Sequence, residues 1–196
     1  LKERWFAYKK LSANIVVSGG FSENRISILN NSIDNKAFTQ ALNKVSDEEV
    51  SNLCKSLGIQ GDHVCLYCGG LYAEKQIDFL IQSSVLMRNV NPEFELIVIG
   101  SGPEQEKVEI ASKKYAWFHY VGPKYGDDRA SYFKAAKLLL MPGPVGLVIL
   151  DSFISRKPLI TTDIPGHGPE ISYLDNGQNG LMCCTNPSLS LSKILL

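Results

Sequence analysis

Apolar and polar positions alternate along this chain in blocks, and from residue 63 onward the alternation is regular. Short continuous apolar runs stand at Val64 to Cys68, Phe94 to Ile99, Phe118 to Val121, Lys137 to Met141 and Leu159 to Thr162. Runs such as ELIVIG show no polar alternation, which is the pattern of a strand buried on both faces. Between the first two runs, KQIDFLIQSSVLMRNVN sets Ile77, Leu80, Ile81 and Val85 on a single helical stripe. PEQEKVEIASKKY, GDDRASYFKAAK, GLVILDSFISR and PEISYLD predict four more helices, each followed by another apolar run. Strand and helix in alternation predict an α/β fold, a Rossmann-like parallel sheet with helices on both faces and right-handed crossovers.

Upstream of residue 63 the pattern is thinner. Ser46 followed by Glu49 forms a capping box, predicting a helix that runs to about Leu57 and stops at Gly58. RISILNNSID reads as a short strand leaving a turn, and the first 20 residues hold a helix-like stretch with Trp5, Phe6, Tyr8 and Leu11. The first segment offers aromatic residues without enough chain to bury them, and LSLSKILL stops inside an apolar helix-like pattern. The expectation is a piece of a longer protein, with 1–24 a remnant of an interdomain or N-terminal region and 25–196 one domain; a complete small protein is the alternative.

Composition narrows the class. Of 196 residues, 44% are hydrophobic and 20% charged, enough to fill a sizeable core and too apolar for disorder. Lys plus Arg and Asp plus Glu both number 20, so no basic excess favours nucleic acid as a partner. The longest apolar stretch, Leu138 to Leu150, is broken by Pro142, Gly143 and Pro144 and falls short of the roughly 20 residues of a membrane span. LKERWFAYKK has no apolar signal core, so a cytoplasmic location is the expectation. Five cysteines, an odd number, suit reduced thiols better than a disulfide framework. Cys65 and Cys68 form a lone CxxC inside VCLYCGG, where strand geometry points the two side chains to opposite faces. No metal site is expected there.

In an open parallel sheet ligands bind beyond the carboxyl ends of the strands, so three glycine-bearing loops draw the chemistry. GSGPEQE has glycines at 100 and 102, but Gln105 stands where a dinucleotide fingerprint needs its third glycine, and WFHYVGP supplies no later acid for ribose. PGPVGLVILD holds an irregular loop ending at Gly146, where a helix is expected to start. Free amides there, with the helix dipole, attract a diphosphate, and Gly146 lets an anion approach without a Cβ in the way. GGLYAEK supplies a matching cation, Lys75, while Gly69 and Gly70 leave room for a ligand.

The ordered set RISILNNSID, YCGGLYAEKQIDFL, FELIVIGSGPEQEKV, WFHYVGP, DDRASYFKAAKLLLMPG, GLVILDSF and KPLITTDIPGHGPEISYLDNGQNGLM resembles the C-terminal, nucleotide-sugar-binding half of retaining glycosyltransferases of family 4. Those enzymes have two facing Rossmann-like domains, the GT-B fold. The resemblance implies contact of Lys75 with the donor diphosphate, amide contacts from Gly146, Leu147 and Val148 to the same phosphates, and a carboxylate at Asp151 accepting from ribose. It implies transfer of a hexose from a UDP- or GDP-linked sugar without metal or other cofactor, in polysaccharide biosynthesis. A saccharide or lipid-linked acceptor would be bound by the missing N-terminal domain, and the full-length protein would associate peripherally with a membrane.

Two positions depart from the family pattern. Its first glutamate is here Gly143, and the arginine that commonly precedes the lysine is Gly70. Substituting Gly143 is therefore expected to act on sugar selection and to leave affinity for the bare nucleotide nearly unchanged. His167 and Glu170 are read as loop residues, His63 and His119 as structural, and Asp127 and Asp128 as capping charge. A non-catalytic nucleotide- or partner-binding relative of the same fold is the alternative; an NAD-dependent module rests on GSGPEQE alone.

Overall fold

The structure, a computed structural model, describes residues 3–185. The apolar runs form strands β3 (His63–Cys68), β4 (Phe94–Ile99), β5 (Phe118–Tyr120), β6 (Leu138–Met141) and β7 (Leu159–Thr162), to which β8 (Gly180–Cys183) adds. They make one fully parallel six-stranded sheet in the order β5-β4-β3-β6-β7-β8. Cys65 pairs with Leu96 on one side and Leu138 on the other, and all six residues of β4 are buried, as strands covered on both faces require. Beside this sheet, β1 (Trp5–Ala7) and β2 (Ile26–Ile28) form a separate parallel pair.

Among the described residues seven α-helices accompany the strands: α1 (Lys10–Ser18), α2 (Asn35–Lys44), α3 (Asp47–Leu57), α4 (Ile77–Val90), α5 (Gln105–Lys114), α6 (Ala130–Ala135) and α7 (Val148–Ile154). Helices cover both faces of the sheet, α4 packing beside α5, and α2 and α3 against α6. The expected capping box is present: Ser46 accepts from the Glu49 amide, Glu49 accepts from the Ser46 amide, and Gly58 closes α3 with a left-handed φ of 72°. Buried Ile77, Leu80, Ser84 and Met87 turn α4 onto the core.

Several expectations are corrected. Trp5 and Phe6 lie in a strand, not a helix, because pairing with β2 gives their backbone a ladder that an isolated aromatic stretch lacks. Helix α2 escaped notice because only Phe38 and Ala41 of it are buried; its start is set by Asp34, whose carboxylate accepts from the amides of Lys36 and Ala37. PEISYLD forms only a 3-10 turn, Pro169–Tyr173, and a 3-10 turn over Gly126–Arg129 precedes α6. LSLSKILL lies outside the described residues. Among the described residues no helix is long and apolar enough to cross a membrane.

The chain runs outward from β3 through β4 to β5, then returns to β6 on the other side of β3 and proceeds through β7 to β8. The direction of winding reverses between β3 and β6. This is the topological switch point at which open α/β sheets bind ligands, and it fixes where the site must lie.

Candidate functional site

At the carboxyl ends of β3, β4, β5 and β6 the loops surround a cleft of about 500 Å³. It is lined by Gly69 and Gly70 after β3, Gly100 and Ser101 after β4, and Leu147, Val148 and Asp151 at the start of α7, with Tyr72, Lys124, Tyr125 and Arg129 around it. Five of the residues singled out from the sequence therefore share one wall. Loop packing narrows the floor: a Cβ on Gly100 would stand 1.9 Å from the carbonyl oxygen of Gly69, so only glycine permits the β3 and β4 loops to meet.

The loop from Pro142 to Val145 is fastened residue by residue. Pro142 O accepts from the Thr162 hydroxyl. Gly143 lies against the turn that carries Lys75, where a Cβ would be 2.4 Å from Lys75 Cα and 2.5 Å from Glu74 O. Pro144 O accepts from Lys75 Nζ at 2.5 Å. The Val145 amide donates to His167 Nδ1 at 3.3 Å, and His167 Nε2 in turn donates to Thr162 O at 2.7 Å. His167, read from the sequence as a loop residue, is thus the strut that ties this loop to the end of β7; nothing in its local pattern signals that role.

Fastening stops at Gly146. The amides of Gly146, Leu147 and Val148 donate to no acceptor among the described residues, and a Cβ placed on Gly146 would meet nothing within 4 Å. No neighbour demands glycine there, and the open space beside three orphan donors suits an approaching anion.

Lys75 ends the 3-10 turn Ala73–Lys75 and is half-buried behind the loop, outside the residues that line the cleft. Burial lowers its ammonium pKa, while Glu74 and Glu170 act in the opposite sense. One of its three donors is taken by Pro144, so in this structure Lys75 shapes the loop that presents the amides.

Asp151 is 5% exposed. Its Oδ2 receives Arg129 Nη1 at 2.7 Å, and its Oδ1 is buried without a partner among the described residues. Burial raises its carboxyl above the usual range, more than the Arg129 pair lowers it. Asp151 thus stands in the cleft wall with one oxygen engaged by an arginine and the other without a partner. Arg129 was missed by sequence reasoning because GDDRASYFKAAK reads as an amphipathic start with solvated charges; only the fold swings it across to α7.

Gly143 receives a steric explanation. With backbone atoms of Glu74 and Lys75 in the way, no side chain fits at 143, so its effect cannot be confined to sugar selection. The cysteine reading agrees with the buried strand: Cys65 and Cys68 are buried on β3, and desolvation pushes their thiols up to about 12 and about 11. Among the described residues no group of three or more His, Cys, Asp or Glu side chains is placed to hold a metal. His119 bonds Glu95 at 2.7 Å inside the sheet, far from a catalytic posture.

A fully parallel, Rossmann-like sheet with an amide-lined cleft at its switch point defines a nucleotide-binding class of α/β domain. Residues 62–195 match the family described as Glycosyl transferases group 1, and the chain belongs to that family. It is 28% identical over 120 residues to the GtfA subunit of the UDP-N-acetylglucosamine–peptide N-acetylglucosaminyltransferase of Streptococcus agalactiae, covering 60% of this chain and 23% of that protein. It is 27% identical over 124 residues to a Mycobacterium tuberculosis glycogen synthase, covering 60% and 29%. The fold matches Anabaena HepE solved with UDP, at a TM-score of 0.76 and 20% identity over 98% of this chain and 53% of that one. It also matches a Rickettsia africae glycosyltransferase, at 0.76 and 13% over 98% and 52%. The chain thus spans about a quarter of the curated relatives and about half of the solved ones.

Proposed function

We propose that this chain is the donor-binding half of a retaining, metal-independent glycosyltransferase of family 4, which transfers a hexose from a UDP- or GDP-linked sugar. The observation that carries it is the trio of unpartnered amides at Gly146, Leu147 and Val148, held on a fastened loop at the edge of the switch-point cleft. As the glycosidic bond breaks, the diphosphate oxygen gains negative charge. Donors fixed in advance stabilise that charge without reorganising, and Lys75 adds a cation behind the same loop. The relatives named for UDP-sugar transfer, and the fold match solved with UDP, support a uridine donor. On this reading a second domain binds a saccharide or lipid-linked acceptor, and the complete enzyme works at the cytoplasmic side of a membrane as a peripheral protein in polysaccharide synthesis.

A non-catalytic relative is the second reading. It is favoured by Gly143, which admits no carboxylate, and by Gly70, which carries no guanidinium.

Thermal unfolding with UDP or GDP tests the proposal. A ligand that binds only the folded state stabilises it by mass action, by about 2.7 kcal/mol at a hundred times its Kd. One of the two nucleotides at millimolar concentration is expected to raise the melting temperature; no shift with either overturns the donor site. Turnover of the nucleotide sugar by the full-length protein separates the enzyme from the binding relative.

A further inference from the structure

Arg129 closes the 3-10 turn Gly126–Arg129 and borders two cavities at once, the 500 Å³ cleft and an adjoining one of about 350 Å³ reached past Asp34 and Phe38. Its guanidinium lies 4.9 Å over the Phe38 ring and 5.7 Å from that of Phe133, and the two rings meet edge to face at 5.1 Å. On its far side Nη1 is bonded to Asp151 Oδ2. The group is therefore held by two aromatic faces and one carboxylate and also interacts with the Cys68 thiol in the cleft wall, with the rest of its five N–H donors left over.

Three charged side chains line the cleft: Lys124, Arg129 and Asp151. Asp151 uses one oxygen, and that oxygen is on Arg129; the other is sealed from solvent. A carboxylate so placed sets the angle of a guanidinium and offers little to a hydroxyl arriving from the cleft. A buried ion pair is costly to desolvate and gives weak stabilisation in return, so its position at the mouth of a cleft points to a ligand. A planar guanidinium with a rigid donor fork is matched to paired phosphate oxygens.

We propose that Arg129 is the side chain that grips the donor's diphosphate, and that Asp151 is a positioning residue which holds the Arg129 guanidinium instead of accepting from ribose. The proposal rests on the donor reading above; whether Arg129 grips a diphosphate at all is read separately with pyrophosphate. The cation that Gly70 does not provide arrives from a different element, the turn before α6.

Calorimetry with UDP, GDP and inorganic pyrophosphate on the wild type, Arg129→Gln, Asp151→Asn and the double variant decides it. Loss of a charged hydrogen-bond donor predicts that Arg129→Gln weakens both pyrophosphate and the bound nucleotide by about tenfold or more. Asp151→Asn should weaken the same two probes by a smaller factor, because the arginine stays but loses its anchor. Pyrophosphate has no ribose, so an Asp151→Asn protein that loses nucleotide affinity and keeps pyrophosphate affinity overturns the positioning role. Pyrophosphate affinity of Arg129→Gln within about twofold of the parent overturns the assignment of Arg129.

Arg129→Gln leaves a buried carboxylate unpaired and threatens folding. The double variant replaces the ion pair by two amides of similar shape and is expected to fold while still failing to bind pyrophosphate. Binding of pyrophosphate but of neither nucleotide by the wild type defeats the donor reading and leaves Arg129 to be judged on pyrophosphate. Absence of binding by all three probes overturns the proposal itself.

Discussion

At the scale of single residues, the site is a matter of which polar groups are in use and which are not. Lys75 and Asp151, singled out from the sequence, are engaged with Pro144 and Arg129, while the amides of Gly146, Leu147 and Val148 have no acceptor among the described residues. Asp151 makes a prediction of its own. Burial raises its folded-state pKa above the unfolded value, so it contributes stability that is present below the ordinary carboxylate range and is lost as pH rises through the raised value. Asparagine does not titrate there. The stability of the wild type relative to Asp151→Asn should therefore be greatest in acid and decline with rising pH, with a midpoint above that of a free aspartate. Urea titrations of both proteins from acid to neutral pH measure it; a difference that rises with pH would show that Arg129, and not desolvation, governs the group. Lys75 was legible in the sequence as a cation near a helix start beyond the end of a strand, and Asp151 only through its place in the pattern of the family the sequence resembles. Their partners were not, because Pro144 lies 69 residues from Lys75 and Arg129 lies 22 from Asp151, separations at which no local pattern carries information.

At the scale of elements, the loop Pro142 to Val145 behaves as a fixed bracket. Thr162, Lys75 and His167 each hold one of its residues, and the backbone of Glu74 and Lys75 closes on Gly143. An added methyl at 143 meets backbone atoms at 2.4 and 2.5 Å, which cannot yield as a flexible side chain would. Gly143→Ala should thus lower stability by about 1 to 3 kcal/mol, the range for forcing extra volume into packed structure. It should also weaken nucleotide binding by shifting the bracket. A denaturant midpoint and a nucleotide affinity both equal to the parent would mean that the Lys75 turn moves freely. The long buried elements were readable in advance: β4 and α4 are continuous or periodic over enough residues for the pattern to be unambiguous. Elements that depend on tertiary support were not. Helix α2 buries two side chains, β8 is a four-residue run opening on glycine, and β1 exists only by pairing with β2. The capping box at Ser46 was legible because its two bonds are local.

At the scale of the whole molecule, one sheet supplies one cleft at its switch point. Gly69 and Gly70, Gly100, Arg129, Leu147 and Val148 line that cleft at the carboxyl ends of the strands, where an open α/β sheet binds its ligand. The chain spans about half the length of the solved structures of Anabaena HepE and the Rickettsia africae glycosyltransferase. Group transfer needs both reactants held in a near-attack geometry, and that pre-arrangement accounts for about 7 to 11 kcal/mol of a typical barrier reduction. A domain that orders the donor alone forgoes most of that contribution. If the donor-binding reading proposed above holds, the expected outcome is that these 196 residues bind UDP or GDP without forming transfer product, whereas a protein that also carries the proposed acceptor domain does both. Calorimetry and a product assay on the same preparation measure the two properties separately. Product formed by the 196-residue chain at a rate comparable with the two-domain protein would place the acceptor site within this chain and remove the division of labour proposed for it.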